Sequence, residues 1–327
     1  MKKRVVICGF GFMGQTHAAN IFKSDSLTLA GVVNCIPKAE TKPVAGNLDT
    51  AGFDWKLLDD IPFFTTLDEA FKSCEFDAAA IALPTQFHAQ AAIDCINNGK
   101  HVFLEKPLCS TMAEAKEIAS ALEGKDLVFH VGHCLRYFPE YSYLKSVCAD
   151  ERYGKLKHLK LLRRAGVPSW GAWKDKDTSI SSITGPVFDL NIHDVDFALD
   201  LLGEPENVAA KKAEYADKLF DCSWNASNNV SVEIAGGFAS QSAFPFRAGY
   251  TAVFENAILE FNTQSATPLM LSTDEKSEPI TPAPCDGYQQ EMEYFAQSLQ
   301  GKNTPHCTLQ EAARAIECCF SIMALLK

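Results

Sequence analysis

Lys106 follows a short apolar run, His101-Val102-Phe103-Leu104, and stands inside Glu105-Lys106-Pro107. An amine at the end of an apolar strand has one chemical use above others: to relay a proton or polarise an oxygen, because desolvation beside positive charge lowers its pKa. Pro107 disfavours helix at Lys106 and pushes it into extended backbone. The second group is Gly185-Pro186-Val187-Phe188-Asp189-Leu190-Asn191-Ile192-His193-Asp194. Asp189 and His193 are four apart, so on a helix they share one face and reach one ligand. Imidazole titrates near pH 6.5 unaided, which makes His193 the natural general base and Asp189 its orienting partner. The same pair resembles half a metal site. Asp196 is the sole nearby third ligand, on the same helix, so no metal is expected.

A third group, Gly9-Phe10-Gly11-Phe12-Met13-Gly14, directly follows Val5-Val6-Ile7-Cys8. Glycines at this spacing between a strand and a helix allow a tight turn, backbone contact with a pyrophosphate and close helix packing. Gly9, Gly11, Phe12, Met13 and Gly14 are therefore the expected cofactor loop. Twenty residues beyond Gly14, where an acidic side chain would grip the ribose of NAD, stands Asn34, followed by Lys38 and Lys42. Asn34 bonds ribose hydroxyls without repelling a 2′-phosphate, so NAD and NADP both remain open.

These groups must be positioned by elements, and the elements change character along the chain. Up to residue 133, apolar runs (Arg4–Cys8, Thr28–Val33, Ala78–Leu83, His101–Leu104, Leu127–Gly132) alternate with helical stretches. Ala115, Ile118, Ala119 and Leu122 recur at helical spacing, for example. Uniformly apolar strands separated by helices specify a parallel sheet covered on both faces, a doubly wound Rossmann domain over 1–133. From 134 to 327 the expectation is an α+β domain for substrate and subunit contacts. Helices are expected near Pro139–Ala149 and Pro186–Leu202, and strands over Leu156–Arg164, Asn207–Tyr215, Val230–Ile234, Gly237–Phe244, Ala248–Glu255 and Ala257–Phe261. Strands without intervening helices predict a largely antiparallel open sheet, with a loop through Pro268, Pro279, Pro282 and Pro284.

The 327 residues carry a net charge of −11, which argues against nucleic acid or an anionic membrane as partner. The basic N-terminus and short apolar run mimic a leader, but Gly9, Gly11 and Gly14 break it. Twelve cysteines scatter without any CxxC, as small buried hydrophobes in a reducing cytoplasm would.

Taken together, the chain resembles the glucose-fructose oxidoreductase / inositol dehydrogenase / MocA (Gfo/Idh/MocA) family. The likeness rests on the glycine loop, Leu83-Pro84-Thr85-Gln86-Phe87-His88, Glu105-Lys106-Pro107, Gly132-His133-Cys134-Leu135-Arg136-Tyr137-Phe138, the Asp189/His193 segment and Gly287-Tyr288-Gln289-Gln290-Glu291. It implies NAD(P)-dependent hydride transfer at a secondary alcohol or ketone of a sugar, polyol or cyclitol. Lys106, Asp189 and His193 match the family's catalytic residues. Leu83, Pro84, His88, Glu105 and Lys106 fall where the family lines the nicotinamide side. His133, Trp173 and Tyr288 are the expected substrate contacts; His133 departs from the family's usual asparagine. The residues themselves suggest that the segment 166–173, with Trp170 and Trp173, supplies an aromatic platform for a sugar ring, and that Arg163 and Arg164 just before it bind a carboxylate or hydroxyls. Members look dimeric or tetrameric, so a homodimer or homotetramer through the second sheet is expected. Two other functions fit the same chain: an NAD-dependent glycoside hydrolase of this fold, and a non-catalytic nucleotide-binding sensor.

Overall fold

The computed structural model describes residues 1–44, 54–168 and 176–327. Two compact units divide the chain, and each is described by itself. The first contains Met1–Cys134 together with Asp286–Ala313, the second Leu135–Cys285 together with Arg314–Lys327.

In the first unit the elements are β1 (Lys3–Cys8), α1 (Phe12–Lys23), β2 (Leu27–Val33), β3 (Phe63–Phe64), α2 (Leu67–Ser73), β4 (Ala78–Ile81), α3 (His88–Asn97), β5 (His101–Glu105), α4 (Met112–Leu122) and β6 (Phe129–Gly132). The sheet runs β3-β2-β1-β4-β5-β6 with every pair parallel, the strand order of a Rossmann domain. Val5 to Cys8 and Ala78 to Ile81 are fully buried, as central strands covered by helices on both faces must be. Turn chemistry ends the helices where sequence signals stand. Thr111 and Glu114 form a capping box on α4, and Gly124 follows it with φ +71°. Strand β3 and helix α2 have no counterpart in the sequence expectation, because two residues of strand carry no periodicity.

The second unit holds α5 (Pro139–Ala149), β7 (Leu156–Gly166), α6 (Ile192–Leu202), β8 (Pro205–Ala213), β9 (Ala216–Ala226), β10 (Ser231–Ala239), β11 (Arg247–Phe254), β12 (Ile258–Asn262), β13 (Leu269–Ser272) and β14 (Ser277–Pro279). Its eight-stranded sheet runs β14-β13-β12-β11-β7-β10-β9-β8 and is antiparallel except where β10 lies parallel to β7. This is the largely antiparallel open sheet that the strand run implies. Three details differ from the reading of the sequence. Val230–Ile234 and Gly237–Phe244 are not two strands: β10 runs through Gly236 and Gly237, with Gly237 at φ +121°. Strand β9 fills a stretch left unassigned, and β13 and β14 fall in the presumed proline loop.

The domain division at 134–327 also needs correction. Helix α7 (Gly287–Leu299) belongs to the first unit, because Met292, Phe295, Ala296 and Leu299 enter one core with Val5, Ile7, Ala18, Ile21 and Phe103. The unit boundary then falls inside α8 (Leu309–Leu325), at Ala313/Arg314. An amphipathic stretch says which residues bury but not which core receives them.

Candidate active site

The three glycines of the loop do three different jobs. Gly9 takes φ +90°, and a Cβ there would lie 2.6 Å from the Ala82 carbonyl oxygen, so only glycine fits the turn off β1. A Cβ at Gly14 would overlap the Gly9 carbonyl oxygen, so this glycine lets α1 pack against the loop. Gly11 is exposed and a Cβ there would meet nothing within 4 Å: its backbone is open to a ligand, not to protein. Helix α1 starts at this point without a side-chain cap, leaving its first N–H groups for an anion. Phe12 and Met13 begin that helix, half-buried. These residues fit a dinucleotide pyrophosphate.

Around the loop the backbone is stitched down. Gly9 N–H donates to Val33 O at 2.8 Å, and the Gln15 amide reaches Phe10 O at 3.1 Å and Lys42 O at 2.9 Å. Asn34, just past β2, donates through Nδ2 to Ile36 O at 3.0 Å. The Lys38 amine is engaged by protein, donating to the carbonyls of Leu58 (2.5 Å), Asp59 (2.8 Å) and Ile61 (3.3 Å).

At the carboxyl ends of β4 and β5, His88 bridges two loops. Its Nδ1 lies 2.8 Å from Pro107 O and its Nε2 2.8 Å from Leu83 O. A neutral imidazole donates to just one of these carbonyls, and burial lowers the His88 pKa more than the two hydrogen bonds raise it. The segment Leu83-Pro84 is thereby tied to the Lys106-Pro107 turn, with Leu83 half-buried and Pro84 exposed. Glu105 ends β5 almost fully buried, and half-buried Lys106 follows it at the strand's carboxyl end. Sequence reasoning missed His17, a fully buried residue of α1 whose Nε2 lies 2.6 Å from Glu105 Oε1. The available signal was an imidazole three residues after Gly14, on the helix face that must meet the sheet. Tyr288, in the first turn of α7, is close enough to Glu105 and Cys134 that they add to burial in raising its phenol. His133 is buried just after β6, its N–H bonded to Val131 O at 2.9 Å. The first unit thus brings together the glycine loop, Leu83, His88, Glu105, Lys106 and Tyr288.

In the second unit, Asp189 and His193 do not sit on one continuous α-helix. Residues Pro186–Leu190 form a π-helical turn, Asn191 intervenes, and α6 begins at Ile192. Such turns are rare and redirect the side chains they carry. Both residues are half-buried. Asn191 pins the junction: its amide donates to Arg163 O at 3.2 Å, and its Oδ1 accepts from Gly237 N–H at 3.1 Å. Gly236 allows this, since a Cβ there would lie 2.5 Å from Asn191 Nδ2. Arg163 is not a sugar or carboxylate ligand; it is buried, with Nε donating to Asp194 Oδ2 at 3.0 Å and a second nitrogen to the Tyr141 hydroxyl at 3.2 Å. Asp196 is likewise occupied, by Arg136 through two bonds of 3.0 and 2.8 Å. Trp170 and Trp173 lie outside the described residues.

A parallel sheet in this order with a glycine loop open at its second position defines a Rossmann domain of the dinucleotide-binding kind. Residues 3–133 match the Gfo/Idh/MocA model, described as an oxidoreductase family with an NAD-binding Rossmann fold. Among relatives, 4-carboxy-2-hydroxymuconate-6-semialdehyde dehydrogenase of Sphingobium is 30% identical over 43% of this chain and 41% of that protein. The NAD(+)-dependent scyllo-inositol 2-dehydrogenase of Bacillus subtilis is 29% identical over 61% of this chain and 54% of that protein. The aligned part spans about two fifths to one half of the length of these curated relatives. The UDP-N-acetylglucosamine 3-dehydrogenase structure from Acidithiobacillus ferrooxidans superposes with a TM-score of 0.80 at 20% identity, covering 100% of this chain and 98% of that one, which is a likeness of fold.

Proposed function

We propose that this protein is an NAD(P)-dependent dehydrogenase acting on a secondary alcohol or ketone of a sugar, polyol or cyclitol. The observation that carries the reading is Lys106 at the carboxyl end of β5, in the same unit as a glycine loop that fits a pyrophosphate. In such sheets, ligands bind beyond the carboxyl ends of the strands. The bound nicotinamide supplies the hydride acceptor or donor; the chain supplies positioning and proton movement. Leu83, Pro84 and His88 flank the Lys106 turn and would line the nicotinamide side. His193 accepts the hydroxyl proton, Asp189 orients the imidazole or neighbouring hydroxyls, and Lys106 polarises the carbinol oxygen. His133, Tyr288 and Trp173 are the proposed substrate contacts. This reading requires Lys106 and His193 to act on one substrate carbon.

Fully buried Cys8, its thiol pushed up to about 12 by burial, is inert packing. All twelve cysteines are free thiols, which suits a reducing cytoplasm. No helix among the described residues is long and apolar enough to cross a membrane. A homodimer or homotetramer through the second sheet is part of the proposal. The groove of about 380 Å³ between Lys160, Lys211, Asp221 and Glu233 makes that face charged rather than apolar.

The test is absorbance at 340 nm with NAD and NADP in parallel, against scyllo-inositol, myo-inositol, methyl glucosides and UDP-N-acetylglucosamine. Turnover on one of them is expected, and Lys106→Ala should lose about 100-fold or more of it while NADH still binds. Undiminished turnover in that variant removes Lys106 from the mechanism.

A further inference from the structure

The buried imidazole of His17 has no place in the scheme above, yet it touches the residue next to the proposed catalytic lysine. It lies on α1, three residues beyond the glycine loop, and its side chain is fully excluded from solvent. Its ring sits edge-on to Phe103 of β5 with centroids 5.0 Å apart, which fixes the plane in which Nε2 points. That nitrogen meets Glu105 Oε1 at 2.6 Å, across 88 residues of sequence. The other carboxylate oxygen accepts the Lys106 N–H at 3.1 Å. Gly132 on the neighbouring strand lies alongside, where a Cβ would stand in ordinary contact, 3.5 Å from the Glu105 carboxylate carbon. Helix, carboxylate and lysine turn therefore form one connected unit, and the carboxylate has both oxygens engaged.

The electrostatics agree with the geometry. Burial pushes the Glu105 carboxyl up, but the His17 hydrogen bond together with charge at His17, Lys106 and His88 outweighs it and holds the group below its ordinary value. Glu105 is thus an anion, kept so in a buried place where a carboxyl without donors would take up a proton.

We propose that His17 is a positioning residue which holds Glu105 as the fixed anionic neighbour of Lys106, and thereby sets the charge state in which the lysine meets substrate. The proposal rests on Lys106 being the amine that polarises the carbinol oxygen, as argued above. Without the imidazole donor, Glu105 takes a proton or turns away, Lys106 loses its anionic neighbour, and its ammonium becomes easier to deprotonate. One protonation change, at Glu105, is passed to another, at Lys106; no covalent step is involved.

The test needs no substrate. Competitive acetylation of the cofactor-free protein, read peptide by peptide by mass spectrometry across pH, gives the midpoint at which Lys106 becomes reactive. His17→Phe, which keeps the ring and loses the donor, should lower that midpoint by roughly 0.5 to 1 pH unit. His17→Gln, which keeps a donor, should stay with wild type, and exposed Lys211 should not move in either variant. Glu105→Gln should lower the midpoint similarly, and the double variant no further, since both act through one carboxylate. An unmoved Lys106 midpoint in His17→Phe, or shifts that add in the double variant, overturns the inference. Should His17→Phe not fold, the smaller His17→Leu carries the same measurement. Full turnover in Lys106→Ala would defeat the dehydrogenase role of the lysine without touching this result, so the two failures are distinguishable.

Discussion

Glu105 in the first unit and Asp194 in the second are both buried carboxylates, each bonded to a basic side chain on another element, His17 at 2.6 Å and Arg163 at 3.0 Å. They nonetheless titrate in opposite directions. Glu105 has a donor on each oxygen and additional positive charge from Lys106, and lies below its ordinary value despite burial. Asp194 receives both Arg163 and Asn191 on Oδ2, while Oδ1 has no hydrogen bond. Burial therefore prevails and its carboxyl is raised. Desolvation is the same in kind at both places; what differs is the positive charge set against it, from His17, Lys106 and His88 at Glu105 but from Arg163 alone at Asp194. The first arrangement keeps an anion beside the Lys106 turn, and the second anchors the sheet to the turn that carries Asp189.

The largest expected effect that tests this contrast is in the second unit. Arg163→Leu strands Asp194 without its ion pair and should cost about 3–5 kcal/mol, read as lost amide-exchange protection in α6. An effect below about 1 kcal/mol would mean that Asp194 is already neutral and that the contrast is sharper than drawn. Next come the close-approach glycines. Gly14→Ala drives a methyl group into the Gly9 carbonyl, a rigid neighbour, and should abolish NADH binding by fluorescence titration with about 3 kcal/mol of destabilisation. Gly236→Ala meets the Asn191 side chain instead, so about 1–2 kcal/mol is expected, seen as faster exchange at Gly237 N–H.

The smallest effect tests the sign itself. Glu105 is lowered from 4.5, so its ionised form contributes stability present above that value and lost as pH falls through the folded one. Asp194 is raised from 3.8, so its charged form carries a penalty that is full above the folded value and relieved as pH falls toward 3.8. Comparison with Glu105→Gln should show β5 losing its wild-type advantage on acidification, and comparison with Asp194→Asn should show α6 gaining one. Each slope is at most about 1.4 kcal/mol per pH unit. Slopes of the same sign would break the comparison.

The legible parts of this molecule were those whose cause is local. Gly9 and Gly14 announced a tight turn and a close packing, and a Cβ at either would meet backbone within 3 Å. Helix α5 has the expected bounds because Pro139 opens it at its first turn. The second unit was harder. Gly236-Gly237 reads as a break because glycine weakens strands, yet β10 passes through it, since Asn191 needs the space that a side chain would take. The i, i+4 spacing of Asp189 and His193 assumed a regular helix, and a π-helical turn changes their bearing. Arg163 looked like a ligand because nothing near it in sequence shows the burial that pairs it with Asp194.

By itself the sequence determined the alternation of strands and helices, the glycine turn after β1 and the placement of a lysine at a strand end. Those follow from steric limits and periodicities that act within a few residues. Only the tertiary structure decided that β10 lies parallel to β7, that α7 returns to the first core, and that an imidazole on α1 reaches Glu105. Each of these joins groups far apart in the chain, and the free energy that selects them is burial and pairing in a shared interior, which no local window of residues contains.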